Sequence, residues 1–239
     1  MSSPPVGEPS VVRDADALAD AAAARVLEAA ARAIAQRGRF GLALAGGTTP
    51  RTLYARLAAR HASDPSWART TIFFGDERCV TPDRPESNFR MAHETLLVHL
   101  APRPHVQRIR GEIAPPDAAR AYDLVLREWG DALDLVLLGI GEDGHTASLF
   151  PGDPALDERE RLACDVLAPP EQAVRPRVTV TLPVLSAARE LLVLATGAAK
   201  ADAVRRSRAG DTTLPLPRLA RDDIGWMLDA AAAGDARSG

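Results

Sequence analysis

In LLGIGEDGHTASLFPG, residues 137–152, an apolar run gives way to glycines at 139, 141 and 144, with Asp143 and His145 on either side of the last. Imidazole ordinarily titrates near neutrality, so His145 suits a general base, and Asp143 is near enough in sequence to orient it or share its proton work. Glycines in this arrangement permit close backbone approach to a ligand and aim N–H groups at developing negative charge. A histidine standing alone is commonly structural. Flanked by glycines and an aspartate where an apolar run ends, it reads as catalytic.

Other chemistry-bearing residues also follow apolar runs. FGLALA (40–45) leads into GGTTP (46–50) and then RTLYARLAAR. Gly46 and Gly47 allow a tight turn, while Thr48, Thr49 and the first helical N–H groups offer donors to an anion. Pro50 suits the first helical turn, where its missing N–H costs nothing. This is a candidate phosphate cradle, although it matches neither the P-loop nor G-x-G-x-x-G, and an ordinary threonine-capped turn has the same composition. TIFF (71–74) leads into Asp76, Glu77 and Arg78, a proline-rich loop, and Ser87 or Asn88 as the cap of a helix. That trio alone equally describes a solvated ion-pair network; its place after a strand favours a site. Arg177 opens the run VTVTL (178–182), and Lys200 falls in the first turn of a helix that begins after Gly197. A lysine there opposes the helix dipole, which a bound anion explains and simple exposure also permits.

Such residues need a scaffold that delivers strand ends to one place. The runs 40–45, 71–74, 133–140, 178–182 and 190–196 read as strands buried on both faces. Between them, 50–60, 87–100, 115–129 and 198–208 read as helices long enough to be crossovers. A further alanine-rich helix over 14–37 is capped by Asp14 and stopped by Gly38. The alternation predicts the α/β class: a single doubly wound, mostly parallel sheet with helices on both faces, Rossmann-like. Ligands of such folds bind outside the carboxyl ends of the strands. Residues 1–10, rich in Ser, Pro and Gly, are predicted to be a disordered tail, 11–232 one domain, and 233–239 a C-terminal tail.

Composition narrows the partners. With 29 Lys and Arg against 32 Asp and Glu, the net charge of -3 gives no basic footprint for nucleic acid. Cys79 and Cys164 are too few for a disulfide framework or zinc knuckle; they read as apolar fillers in a reducing cytoplasm. No run of 18 apolar residues suggests a membrane span, and the N-terminal residues lack a secretory pattern, so a soluble cytoplasmic protein is expected. H-E-x-x-H is absent, and His61, His93, His99 and His105 have no ligand spacing, so no metal is expected. Ser148 lies outside any G-x-S-x-G elbow and reads as a cap or packing group on a short helix shared with His145.

The segments ALAGGTTPRTLYARLA, FFGDERCVTPDRPESNFRMAHETLL, LLGIGEDGHTASLFPG and RVTVTLPVLSAARELLVLATGAAKADAV, in this order and spacing, resemble the 6-phosphogluconolactonase family within the glucosamine-6-phosphate deaminase-like group. The resemblance implies hydrolysis of 6-phosphoglucono-δ-lactone to 6-phosphogluconate in the oxidative pentose phosphate pathway. It implies no metal, no organic cofactor, a phosphorylated sugar lactone as partner, and a monomer or small homo-oligomer. Under it, His145 activates water with Asp143 beside it. Gly46, Gly47, Thr48 and Thr49 form the phosphate-side loop with Arg177 and Lys200 as cationic partners. Asp76 and Arg78 line the sugar pocket, Asp76 being counted with the catalytic groups, and N–H groups from Gly141 to Gly144 or Arg78 meet developing charge. Deaminases place a glutamate where this chain has Phe150, which argues against ammonia release. Asp76 resembles their proton-transferring aspartate, so isomerisation or deamination is the second reading. A sugar-phosphate sensor is the non-enzymatic one, for which no DNA-binding element is visible.

Overall fold

Apolar runs without polar alternation bury both faces, and helices cover them in the computed structural model, which describes residues 8–219 and 221–234. Residues 1–7 of the predicted N-terminal tail and 235–239 of the C-terminal one lie outside the described residues. In chain order the elements are β1 (Ser10–Val12), α1 (Ala15–Arg37), β2 (Phe40–Leu44), α2 (Thr48–His61), β3 (Thr70–Phe74), β4 (Asp76–Arg78), α3 (Asn88–Thr95) and β5 (His105–Val106). They continue as α4 (Pro115–Trp129), β6 (Leu135–Gly139), β7 (Ala163–Leu167), β8 (Pro176–Val180), α5 (Leu182–Ala187), β9 (Leu191–Ala195), α6 (Ala201–Arg208) and β10 (Gly225–Asp229). Ser10, inside the stretch predicted as tail, already pairs with Met227.

Helix α1 shows how local chemistry sets the ends. The Asp14 carboxylate accepts from Ala17 N–H at 2.8 Å, and Gly38, at φ +72°, returns its N–H to Ile34 O. Leu18, Ala22, Val26, Ala30 and Ala33 form its buried stripe, small enough to lie close to the sheet and to α2.

The main sheet has seven parallel strands in the order β1-β10-β9-β6-β2-β3-β5. From the β6/β2 seam, chain order runs outward both ways: β2 to β3 to β5 on one side, β6 to β9 to β10 on the other. That reversal is the switch point at which the carboxyl ends of adjacent strands splay apart and leave a crevice. Among the described residues no helix is long and apolar enough to cross a membrane.

One expected parallel strand lies elsewhere. VTVTL belongs to β8, which joins β4 and β7 in a separate three-stranded antiparallel sheet. Its Val-Thr-Val alternation is the mark of a strand whose two faces differ, as antiparallel sheets allow. Gly75 hands the chain from one sheet to the other: its N–H donates to Leu44 O of β2 and its carbonyl accepts from Val180 N–H of β8, both at 2.9 Å. Arg177 and Thr179, two apart on β8, therefore share the face turned toward the crevice.

Candidate active site

Four strand ends adjoin at the crevice: β9, β6, β2 and β3 in spatial order. After β6 the chain closes a tight loop in which Gly141 N–H donates to His145 O and Gly144 N–H to Gly141 O. His145 Nδ1 lies 2.6 Å from Asp143 Oδ1, which also accepts from the His145 backbone N–H at 3.1 Å. A Cβ on Gly141 would collide with both the ring and the carboxylate, so the pair stands where only glycine leaves room. An ionised carboxylate only accepts, so in the neutral ring Nδ1 carries the hydrogen and Nε2 keeps its lone pair. Partial burial works to raise the Asp143 pKa, but the hydrogen bonds and charge of His145 bring it below the usual carboxylate value. The Phe150 ring packs on the imidazole at 4.8 Å between centroids, and 22% of the His145 side chain stays exposed on the crevice.

A second wall is formed by the loops after β2 and β9. Tyr54 OH fixes the end of β2, accepting from Ala45 N–H and donating to Ala45 O. Gly47, at φ +101°, then opens α2, whose first residues are Thr48 and Thr49. Thr49 Oγ1 meets Thr196 Oγ1 at 2.7 Å, tying the loop after β2 to the loop after β9. Beyond Gly197 a short 3-10 turn, Ala198–Lys200, brings Lys200 to the same pocket. Arg177 is buried; its Nε and Nη2 donate to Val174 O and Gln172 Oε1, and its guanidinium lies over the Phe150 ring. Burial, and then the Arg78 charge beside it, lower its pKa. Arg78 donates Nη1 to Glu86 O, and its Nε is buried without a partner. Among the described residues none of Arg78, Arg177 and Lys200 forms a direct ion pair, although the charges of Asp76 and Glu77 act on Arg177 from nearby.

A third wall carries a carboxylate held by neutral donors. Asp76, 5% exposed, accepts from Ser148 Oγ at 2.6 Å and from Asn88 Nδ2 at 3.0 Å. Glu77 next to it caps α3, accepting from Ser87 Oγ and the N–H groups of Arg78, Asn88 and Phe89. Burial pushes its pKa up against those donors. Asn88 packs its amide against Gly46, where a Cβ would occupy the same space. Ala147 takes φ +49°, a costly conformation for a residue with a Cβ, within the turn that points Ser148 at Asp76.

Of the residues singled out from sequence, Gly46, Gly47, Thr48, Thr49, Asp76, Arg78, His145, Arg177 and Lys200 line this one pocket. Asp143 stands behind His145 and reaches the pocket only through it. Gly144 is a correction: it does not line the pocket, and its glycine answers to φ +86° and to the Leu214 side chain where a Cβ would sit. The expected oxyanion donors at Gly141 and Gly144 are likewise engaged within the loop. Ser148 is a second correction, since residues 141–149 contain no helix and its hydroxyl serves Asp76. Sequence reading missed Asn88 and Thr196 as pocket residues; Asn88 was visible only as a helix cap. No group of three or more His, Cys, Asp or Glu among the described residues is placed to hold a metal ion.

Residues 13–226 match the family model described as glucosamine-6-phosphate isomerases/6-phosphogluconolactonase. The chain belongs to this family. Among its relatives, human 6-phosphogluconolactonase is 39% identical over 98% of this chain and 95% of its own length. The structure of 6-phosphogluconolactonase from Trypanosoma cruzi superposes with a TM-score of 0.83, at 29% identity and 98% of each chain. A monomeric glucosamine-6-phosphate deaminase, 22% identical with a TM-score of 0.79 over 95% of this chain and 99% of its own, shares the fold. Within the glucosamine-6-phosphate isomerase/6-phosphogluconolactonase family, the pocket wall of this chain therefore combines a His–Asp pair with an unneutralised cationic wall.

Proposed function

We propose that this chain hydrolyses 6-phosphoglucono-δ-lactone to 6-phosphogluconate, the activity for which its human and trypanosomal relatives are named. The observation that carries the reading is His145, oriented by Asp143 at 2.6 Å, in the same pocket as Arg177, Lys200 and the 46–49 loop. The C6 phosphate sits against the loop and the cations, and this remote contact orients the lactone carbonyl at the other end. His145 Nε2 takes a proton from water as the water attacks C1, and Asp143 stabilises the resulting imidazolium. With the Gly141 and Gly144 N–H groups engaged within the loop, Arg78, which lines the pocket, serves as a donor for the oxyanion. The imidazolium then returns the proton to the departing ring oxygen, which opens the ring.

Phe150 supports hydrolysis over deamination, because its ring lies against the imidazole where the deaminase pattern has a carboxylate. On this reading the protein needs no cofactor or metal and works in the cytoplasm as a monomer or small homo-oligomer, without nucleic-acid or membrane partners. Its free thiols Cys79 and Cys164, raised by burial to about 11 and about 12, suit a reducing compartment. A dehydrogenase-coupled lactonase assay, corrected for spontaneous hydrolysis and run beside His145→Ala, tests the reading. Turnover of the variant at the wild-type rate would remove His145 from the mechanism.

A further inference from the structure

The 29 lysine and arginine side chains of this protein are 28 arginines and one lysine, and the lysine is Lys200. It lines the same pocket as the 46–49 loop and Arg177, partly exposed and with no ion pair among the described residues. A guanidinium keeps its proton and is not a nucleophile, whereas a lysine that releases its proton is one. The 28 arginines are therefore inert toward acyl donors, and the sole side-chain amine stands where a phosphate is to be held.

We propose that Lys200 is a site of acylation by acyl phosphates, and that its acylation weakens the phosphate site. This rests on the phosphate-binding part of the reading above. The donor class follows from connectivity. In an acyl phosphate the carbonyl is attached directly to a phosphate oxygen, so a phosphoryl group seated against the 46–49 loop and Arg177 brings the electrophile to the neighbouring amine. In the sugar lactone the carbonyl is at C1 and the phosphate at C6, so a molecule seated for hydrolysis keeps its carbonyl at His145. Lys200 first gives one proton to solvent. Its nitrogen lone pair then attacks the acyl carbon, the C–N bond forms, and the bond from the acyl carbon to the phosphate oxygen breaks. Inorganic phosphate leaves with the second proton of the amine. The product amide is neutral, so the pocket loses one of its positive charges.

The test is incubation of the full chain with acetyl phosphate at rising concentration, with and without inorganic phosphate, followed by intact-mass measurement and peptide mapping. The expected result is one side-chain acetyl group, on Lys200, forming at a rate that saturates with acetyl phosphate and falls when inorganic phosphate is present. The same acetyl group offered from a phosphate-free thioester gives no saturation. Acetylated protein shows a KM for the lactone raised about tenfold or more with little change in kcat. Lys200→Arg keeps a charge and takes up no side-chain acetyl group. An unmodified Lys200, a rate indifferent to inorganic phosphate, or an unchanged KM after complete acetylation overturns the proposal. Mass readout needs no turnover: if saturable, phosphate-protected acetylation occurs in a chain without lactonase activity, the proposed reaction falls and the acylation site stands.

Discussion

Charges around the pocket and charges on the outer surface are handled in opposite ways. Outside, acids meet arginines directly: Arg90–Glu94, Arg108–Glu112 and Arg127–Asp123 are i,i+4 pairs at 2.6–2.8 Å, and Arg25 and Arg32 share Glu190. At the pocket, Asp76 and Glu77 take hydroxyl, amide and backbone donors, while Arg78 and Arg177 give hydrogen bonds to carbonyl oxygens. Exposed pairs neutralise each other and contribute little to stability. Neutral partners fix a charged group in place without cancelling its charge, so it can still act on a ligand.

This contrast orders the effects of substitution. His145→Ala removes the proposed acid/base group and is expected to lower kcat by about 10²–10⁴-fold, with 6-phosphogluconate affinity nearly unchanged, measured by the coupled assay and by calorimetry. Arg177→Gln or Lys200→Ala removes an uncancelled charge; losing a charged hydrogen bond of about 1.5–3 kcal/mol predicts KM about 10–100 times higher. Equal KM values in both variants and wild type would mean that the pocket's cations are no freer than those outside. Ser148→Ala leaves Asp76 Oδ2 buried without its 2.6 Å donor, and chemical denaturation is expected to show a loss of about 1–3 kcal/mol. A loss near zero would show that the neutral donors are dispensable.

The surface supplies the smallest effect. The Arg108 hydrogen bond draws Glu112 down from 4.5 to about 2, with burial opposing it. A depressed carboxylate stabilises the fold above its unfolded value, and that contribution is lost as pH falls from about 4.5 toward 2. Glu112→Gln is therefore expected to cost less than about 1 kcal/mol at neutral pH, solvent screening included, and nothing near pH 2, by thermal unfolding across pH. A larger cost at neutral pH would erase the distinction between the two regions.

Elements set by local signals were legible in the sequence. Asp14 and Gly38 bound α1 as read, and the segments 46–50, 75–78 and 141–145 follow adjoining strands. What was not legible depends on partners distant in the chain. The hydroxyl of Ser148 is explained by Asp76, 72 positions away, and the amide of Asn88 by Asp76 and Gly46. The period of an apolar run likewise does not name its neighbour, so β8 read as another parallel strand although its alternating threonines marked a two-faced sheet. Gly144 misled for the reverse reason: a glycine beside a histidine is as readily owed to backbone torsion as to a ligand.

The β6/β2 seam is registered over only two residue pairs, Leu42 with Leu135 and Ala43 with Val136, while its inner neighbours β2–β3 and β6–β9 have five and four. Above that narrow join the two halves of the sheet are bridged by threonine hydroxyls and by whatever fills the crevice. A bound sugar acid would thus act as a rivet across a sparsely stitched line at the centre of the sheet, so that saturating it should slow amide exchange in β2 and β6 more than in the outer strands.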